Sequence, residues 1–309
     1  MIDAFGVILT ENNEAKMQEL TSQRSIAALP VGGRYRVIDF ILSNMVNSGV
    51  INVGVSTQFN YSSLMDHLGT GKPWDLNRKN NGLFILPPYL TNNSTGVAKG
   101  VVDVLSSISN YIKKSRQKYV ILTDSNLICS VDFEKALDFH KERNADITVV
   151  YSCKESIKKE ELSKSILLNI EPDGRVSDIE VYPKRSKNKN ISMNMYIMEK
   201  TLLQNLVEDC VSHGRHDFIM DALLPNLDEL MIYGFANYGY SKKIDDIKSF
   251  FDFNMDLLSA DIRTELFGTE NKIYTKVKDE VPTKYNAGAV VKNSMVADGC
   301  VIDGTVINS

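Results

Sequence analysis

Ile2-Asp3-Ala4-Phe5-Gly6-Val7-Ile8-Leu9 is an apolar run that leads into Thr10-Glu11-Asn12-Asn13-Glu14-Ala15-Lys16-Met17-Gln18-Glu19-Leu20 and then Thr21-Ser22-Gln23-Arg24. An apolar run of this length reads as a buried strand of a parallel sheet. In nucleotide-binding α/β domains the turn after such a strand is where glycines let backbone N–H groups close around phosphates. Here the turn has no glycine and carries three glutamates. One inward carboxylate about 5 Å from a phosphate charge costs roughly 3 kcal/mol at an effective dielectric of about 20, on the order of a hundredfold in affinity. The strand-to-turn order of such a domain is expected here without the glycines that would grip a phosphate.

Outward from this stretch, strands alternate with helices. Tyr35 to Asn47 reads as a helix with Ile38, Ile41, Leu42 and Met45 on one face, and Asn52 to Thr57 as a second strand. Val101 to Ile112 is helical, Tyr119 to Thr123 a strand, Phe133 to Arg143 a helix and Asp146 to Ser152 a strand. The alternation predicts an α/β fold with a mixed, mostly parallel sheet covered on both faces. After Asp173-Gly174 come short strands, helical stretches at Lys200 to Glu208 and Asp217 to Leu224, and a helix from Asp246 to Leu258 that leads out of the domain.

The end of the chain has another period. Val290, Val296 and Ile302 recur at a step of six, and so do Ser294, Cys300 and Val306, with Gly299 and Gly304 at turns. Such hexads are the signature of a parallel β-helix. Three hexads are too few to stand as a solenoid, so a truncated piece of a longer protein is expected. The predicted division is an α/β domain over 1–245, a connecting helix and linker over 246–281, and the first coils of a β-helix over 282–309.

At 309 residues the chain has room for a large core, and its formal charge of -4 gives no electrostatic reason for a nucleic-acid or anionic-membrane partner. The basic runs at Lys113-Lys114 and Lys184 to Lys189 read as solvated surface. Cys129, Cys153, Cys210 and Cys300 form no C-x-x-C pair, and His67, His140, His213 and His216 have no third ligand at metal spacing. No signal core or membrane-length apolar run is present, and the expectation is a cytoplasmic protein.

The stretch from Leu20 to Asn44, which includes Leu29-Pro30-Val31-Gly32-Gly33-Arg34-Tyr35-Arg36-Val37-Ile38-Asp39-Phe40, resembles the signature of bacterial glucose-1-phosphate adenylyltransferase, also called ADP-glucose pyrophosphorylase. Thr57-Gln58-Phe59, His67-Leu68, Gly239-Tyr240 and Asn254-Met255-Asp256-Leu257-Leu258 match the same family. The resemblance implies a Rossmann-like nucleotidyltransferase domain joined to a left-handed parallel β-helix, a tetramer, and a Mg²⁺-dependent reaction of ATP with glucose 1-phosphate that serves glycogen synthesis.

The family's catalytic parts do not carry over residue by residue. Its G-G-x-G-x-R-L loop is replaced by the acidic turn, and its R-x-K-P-A reads Arg24-Ser25-Ile26-Ala27-Ala28, with Ile26 in place of the lysine. The first metal aspartate of S-G-D-H falls at Thr123-Asp124-Ser125-Asn126; an ungapped match puts Ser125 there, and a one-residue slip returns Asp124. At the second metal position, in Gly239-Tyr240-Ser241-Lys242-Lys243, Lys243 stands where a carboxylate belongs, and an ammonium does not ligate Mg²⁺. E-K-P becomes Val181-Tyr182-Pro183, S-M-G-I-Y becomes Ser192-Met193-Asn194-Met195-Tyr196, and Gly100 keeps its glycine ahead of the bulkier Val101 and Val102.

These losses all remove one chemistry, and the chain resembles the non-catalytic, regulatory D-type subunit found beside a catalytic paralogue. The expected vestigial pocket comprises Arg24, Ile26, Gln58, Gly100, Asp124, Ser125, Ser192 and Lys243, with no catalytic residue and no retained metal or other cofactor. Expected partners are the catalytic paralogue, in a homo- or hetero-tetramer, and a sugar-phosphate or nucleotide effector. A weakly active adenylyltransferase and a ligand sensor are the competing readings. Lys243 is open between a surface lysine in a relaxed loop and an ammonium that stands in for the metal. The preserved segment from Arg34 to Asn44 is expected to be structural, with Asp39 satisfying backbone or Arg36 groups at a helix start.

Overall fold

The computed structural model describes residues 2–10, 14–87, 98–268 and 272–309. Its centre is the strand Ala4–Leu9, which pairs in parallel with Asn52–Ser56 on one side and Tyr119–Asp124 on the other. Gly82–Leu86 extends the first side in parallel. Beyond Tyr119–Asp124 the strand Asn190–Glu199 runs antiparallel, followed by Ile147–Cys153, and Ile232–Ala236 pairs in parallel with the latter. The hairpin of Ile166–Ile170 and Val176–Val181 joins through Asn190–Glu199 and completes nine strands. The predicted mixed α/β sheet is present, with Asn190–Glu199 and Val176–Val181 running against the other seven strands.

Alternation along the central strand divides the core. Ala4 and Ile8 face one layer, with Ile38, Ile41, Leu42 and Met45 of the helix Val37–Asn47, all fully buried. Phe5, Val7 and Leu9 face the other, with residues of the helices Val101–Ser107 and Lys200–Ser212. Gly6 is a glycine for space: a Cβ there would lie 2.4 Å from Met45 Sδ. The predicted helix from Val101 to Ile112 is two, since the chain breaks at Ile108 before Ser109–Lys114. The predicted helical stretch from Asp217 to Leu224 is present as a π-helix over Phe218–Leu223, with the Asp217 carboxylate accepting from Ile219 N–H and Met220 N–H.

The preserved segment is structural, as its composition predicts. Asp39, wholly buried, accepts from Arg36 N–H at 2.9 Å and meets His67 Nε2 at 2.6 Å. The Arg36 guanidinium bonds the Ala28 carbonyl and reaches Ser63 Oγ at 3.1 Å. Gly32 donates its N–H to Asn254 Oδ1 at 3.1 Å, which ties the turn to the helix Ile247–Asp256. Gly33, at φ +72, lies so close to the last part of the chain that a Cβ on it would be 3.5 Å from the Ala297 backbone.

From Lys272 the chain crosses the helix Val37–Asn47, where Tyr274 N–H donates to Ser43 Oγ at 2.9 Å and Asn47 Nδ2 to the Lys272 carbonyl at 3.0 Å. Two short parallel pairs follow. Lys284–Tyr285 pairs with Val301–Ile302 and Val290–Lys292 with Thr305–Ile307. The hexad phase is displaced at its start, because Val290 is 40% exposed whereas its neighbour Val291 is half-buried and opposite Val306.

Two measurements test this packing. A Cβ at Gly100 would sit 2.2 Å from the His216 carbonyl oxygen, which accepts from Val102 N–H at 3.0 Å; Gly100→Ala should cost about 1–3 kcal/mol in chemical denaturation. Removing the carboxylate in Asp39→Ala leaves buried donors unpaired and should cost roughly 3 kcal/mol. The buried His140 bonds Thr148 Oγ1 at 2.9 Å, and burial pushes its pKa from 6.5 down to about 4. The unfolded chain therefore takes up this proton first. Stability is full above pH 6.5 and falls as pH drops toward about 4, and His140→Gln should flatten that slope in urea midpoints measured across the range.

Candidate functional site

The parallel strands end on one side of the sheet, where ligands bind in such folds. Asp124 closes its strand there, level with Leu9 of the central strand. Ser125 then turns inward: its N–H donates to the Leu9 carbonyl at 2.8 Å, and its buried hydroxyl has no partner. Of the two candidates for the first metal position, Asp124 therefore faces the cleft, and Ser125 is corrected to a buried turn residue.

Two cavities meet at Asp124. One, of about 300 Å³, is lined by Ser192, Asn194, Lys164 and Lys243 among others; the second, of about 340 Å³, by Gln58, Gly100, Tyr182, Tyr196 and Phe218. Asp124, Ile166 and Asn194 line both and form the wall between them. Asn194 sits at an irregularity in its strand with φ +51, a conformation Asn tolerates better than most residues, and its Nδ2 donates to Asp124 Oδ2 at 2.7 Å. Ser192 Oγ accepts from Asn194 N–H at 3.2 Å. Burial raises the Tyr196 hydroxyl well above the ordinary tyrosine range, so it stays a neutral donor.

Lys243 is not in a relaxed loop. It ends the strand Ser241–Lys243, which pairs antiparallel with Leu127–Cys129 so that Lys243 lies opposite Leu127. Asn126 clamps the next residue, its carbonyl accepting from Ile244 N–H at 2.8 Å and its Nδ2 donating to the Ile244 carbonyl at 3.1 Å. The Lys243 ammonium stands 3.7 Å from Asp124 Oδ2, with its side chain 35% exposed.

With Lys243 and Asp124 included, the first cavity is lined by six lysines and six carboxylates, a charge-balanced set. Lys164 bonds Asp246, Lys154 bonds Glu161, Lys242 meets Asp256 at 3.3 Å and Lys248 meets Glu160 at 3.9 Å. Burial alone would raise the Asp246 carboxyl, but the Lys164 and Ser249 hydrogen bonds outweigh it and hold the group at about 2. Lys158 has no carboxylate partner among the described residues.

Mg²⁺ coordination needs convergent oxygen ligands, and nucleotidyl transfer draws them from carboxylates. Asp124 supplies one carboxylate, shared with an amide donor and an ammonium. Among the described residues no three His, Cys, Asp or Glu side chains come together as a metal group. Among the described residues, then, the donors at this place are one carboxylate, one amide and one ammonium.

Of the residues singled out from sequence, Gln58, Gly100, Asp124, Ser192 and Lys243 line the cleft. Arg24 and Ile26 line neither cavity. Ile26 is 2% exposed and packs with Met17, Phe40 and Phe253, since an apolar side chain there gains by entering the core; Arg24 is half-exposed beside it. Glu11, Asn12 and Asn13 of the acidic turn lie outside the described residues. Sequence reasoning missed Ile166 and Asn194 as site residues; the signal for Asn194 was an asparagine inside an apolar strand.

The nucleotidyl transferase family model matches residues 5–260. The chain is similar to the glycogen biosynthesis protein GlgD of Bacillus subtilis, 35% identical over 98% of this chain and 78% of that one. It is likewise similar to GlgD of Geobacillus stearothermophilus, at 37% over 99% and 78%, and to glucose-1-phosphate adenylyltransferase of Clostridium novyi, at 33% over 99% and 80%. A nucleotidyltransferase sheet, a cleft at its strand ends and relatives aligned along nearly the whole chain have one reading: the chain belongs to the nucleotidyl transferase family.

Proposed function

We propose that this chain is a regulatory, catalytically deficient subunit of glucose-1-phosphate adenylyltransferase in glycogen synthesis, acting on a catalytic paralogue in a hetero-oligomer. The observation that carries the reading is the ammonium of Lys243 beside Asp124, where a second carboxylate would complete a Mg²⁺ site. The likeness to proteins named glycogen biosynthesis protein GlgD, alongside adenylyltransferases at similar identity, supports a place beside that enzyme.

Regulation of this kind is a coupling between subunits through a shared interface. The proposed division has the nucleotidyltransferase-like unit over 1–245, a connector over 246–281 and the first coils of a left-handed β-helix over 282–309. The two parallel strand pairs support that last unit, their partners lying about one coil apart in sequence. A cytoplasmic location belongs to the same reading; among the described residues no helix is long and apolar enough to cross a membrane. The cleft itself is the proposed seat of a sugar-phosphate or nucleotide effector.

A second reading is a weakly active adenylyltransferase, favoured by the exposure of Asp124 to both cavities. One experiment separates them: ADP-glucose formation by the catalytic paralogue is followed as this chain is titrated in, with the chain alone as control. The expected result is a silent control and a saturable change in the paralogue's rate. Turnover in the control would replace the first reading by the second, and no change in either arm would remove the regulatory role.

A further inference from the structure

Beside the cleft lies a crevice that the proposed function does not use. The strands Ile147–Cys153 and Ile232–Ala236 run in parallel and end together, with Ala236 opposite Tyr151. Past that rung Asn237 N–H donates to the Tyr151 carbonyl at 2.8 Å, and the chain turns through Tyr238 and Gly239 into the strand Ser241–Lys243. A crevice of about 410 Å³ opens here, lined by Ser152, Lys154, Asn237, Tyr238, Ser241 and Glu265 among others. We infer that it binds a neutral saccharide, with the Tyr238 ring as the platform on which a sugar ring stacks.

The platform is the first argument. Tyr238 is 88% exposed, the most of any large apolar side chain among the described residues. Its neighbours are tied down on both sides, Asn237 by the bond to Tyr151 and Tyr240 by two others. Tyr240 N–H bonds the Glu265 carboxylate through Oε1, and Tyr240 Oη donates to Asp256 Oδ2 at 2.7 Å. A short turn fixed at both ends loses little freedom when a ligand settles on it.

Charge and polarity are the second argument. Lys154 is bonded to Glu161, so the one cation of the lining is already matched, and Glu265 adds a carboxylate. An anion gains little there. Among the described residues the lining holds no valine, leucine, isoleucine or methionine, so a wholly apolar ligand finds no floor. What the wall does offer is the Asn237 amide, whose buried Nδ2 has no acceptor, with the Ser152 and Ser241 hydroxyls and the Glu265 carboxylate. An amide, two hydroxyls and an acid in one wall suit a ligand made of hydroxyls, which both donate and accept. A pyranose has these around its edge and a C–H face for the tyrosine. The choice of a glucose polymer as that saccharide rests on the reading of the chain as part of glycogen synthesis.

The test is ligand-observed NMR titration of the full chain with maltotetraose, cellotetraose and glucose. Saturable binding is expected, tightest for maltotetraose; the three share one chemistry, and the tightest of them identifies the source. Tyr238→Ala should weaken that binding about threefold to tenfold, the share of one aromatic contact, whereas Tyr238→Phe keeps the ring face and should bind as wild type does. Both variants should keep the wild-type urea midpoint, since the side chain is exposed. No saturable binding of any of the three sugars, or equal binding by Tyr238→Ala, would overturn the inference, and the first of these would leave Tyr238 to a protein contact. The measurement involves neither the paralogue nor turnover. A negative result therefore leaves the proposed function standing, and a paralogue indifferent to this chain would remove that function and leave the site.

Discussion

The fold turns on one buried carboxylate. Asp39 has no exposed surface, and an unpartnered acid there would be costly enough to threaten the native state. It is satisfied on one side by Arg36 N–H, which starts the helix Val37–Asn47, and on the other by His67 from the helix Ser62–Leu68. His67 in turn lies edge-on to Trp74, 5.7 Å between centroids. The carboxylate thus joins three separate segments, and the helix it starts covers one face of the central strand. Because Arg36 reaches the Ala28 carbonyl and Ser63, the same knot positions the turn at Gly32 and Gly33.

None of these contacts touches the cleft at the strand ends. A chain can therefore exchange the acids and bases of that cleft while its scaffold persists, and this sequence reads in that way. Ion pairs along the rim join the segment around Lys164 to the start of the helix Ile247–Asp256, an arrangement that stabilises a shape and leaves little unmatched charge.

Much of this was legible from residue order. Apolar runs located four of the nine strands to within a residue or two, and the spacing of Ile38, Ile41, Leu42 and Met45 identified the helix face that meets the central strand; the other five strands were not individually placed. The break at Ile108 was not legible, because both halves of that stretch are apolar on the same side. At the site, Lys243 and Gln58 could be placed by motif. The choice between Asp124 and Ser125 required register, since a one-residue slip exchanges a cleft-facing side chain for a buried one. Ile26 misled for a related reason: a residue aligned with a ligand-binding lysine becomes core once it is apolar. Asn194 owes its role to a left-handed backbone kink that no spacing rule reveals.

Gly33 has a mechanical consequence. With φ +72 and the Ala297 backbone at van der Waals distance from a missing Cβ, the turn and the final strand pairs touch with no side chain between them. A Cβ at that point would meet Ala297 at ordinary van der Waals distance, so the constraint is the backbone itself: φ +72 is a conformation that side-chain-bearing residues rarely adopt. The glycine thus acts as a bearing surface, on which the last part of the chain rests against the turn of the sheet domain.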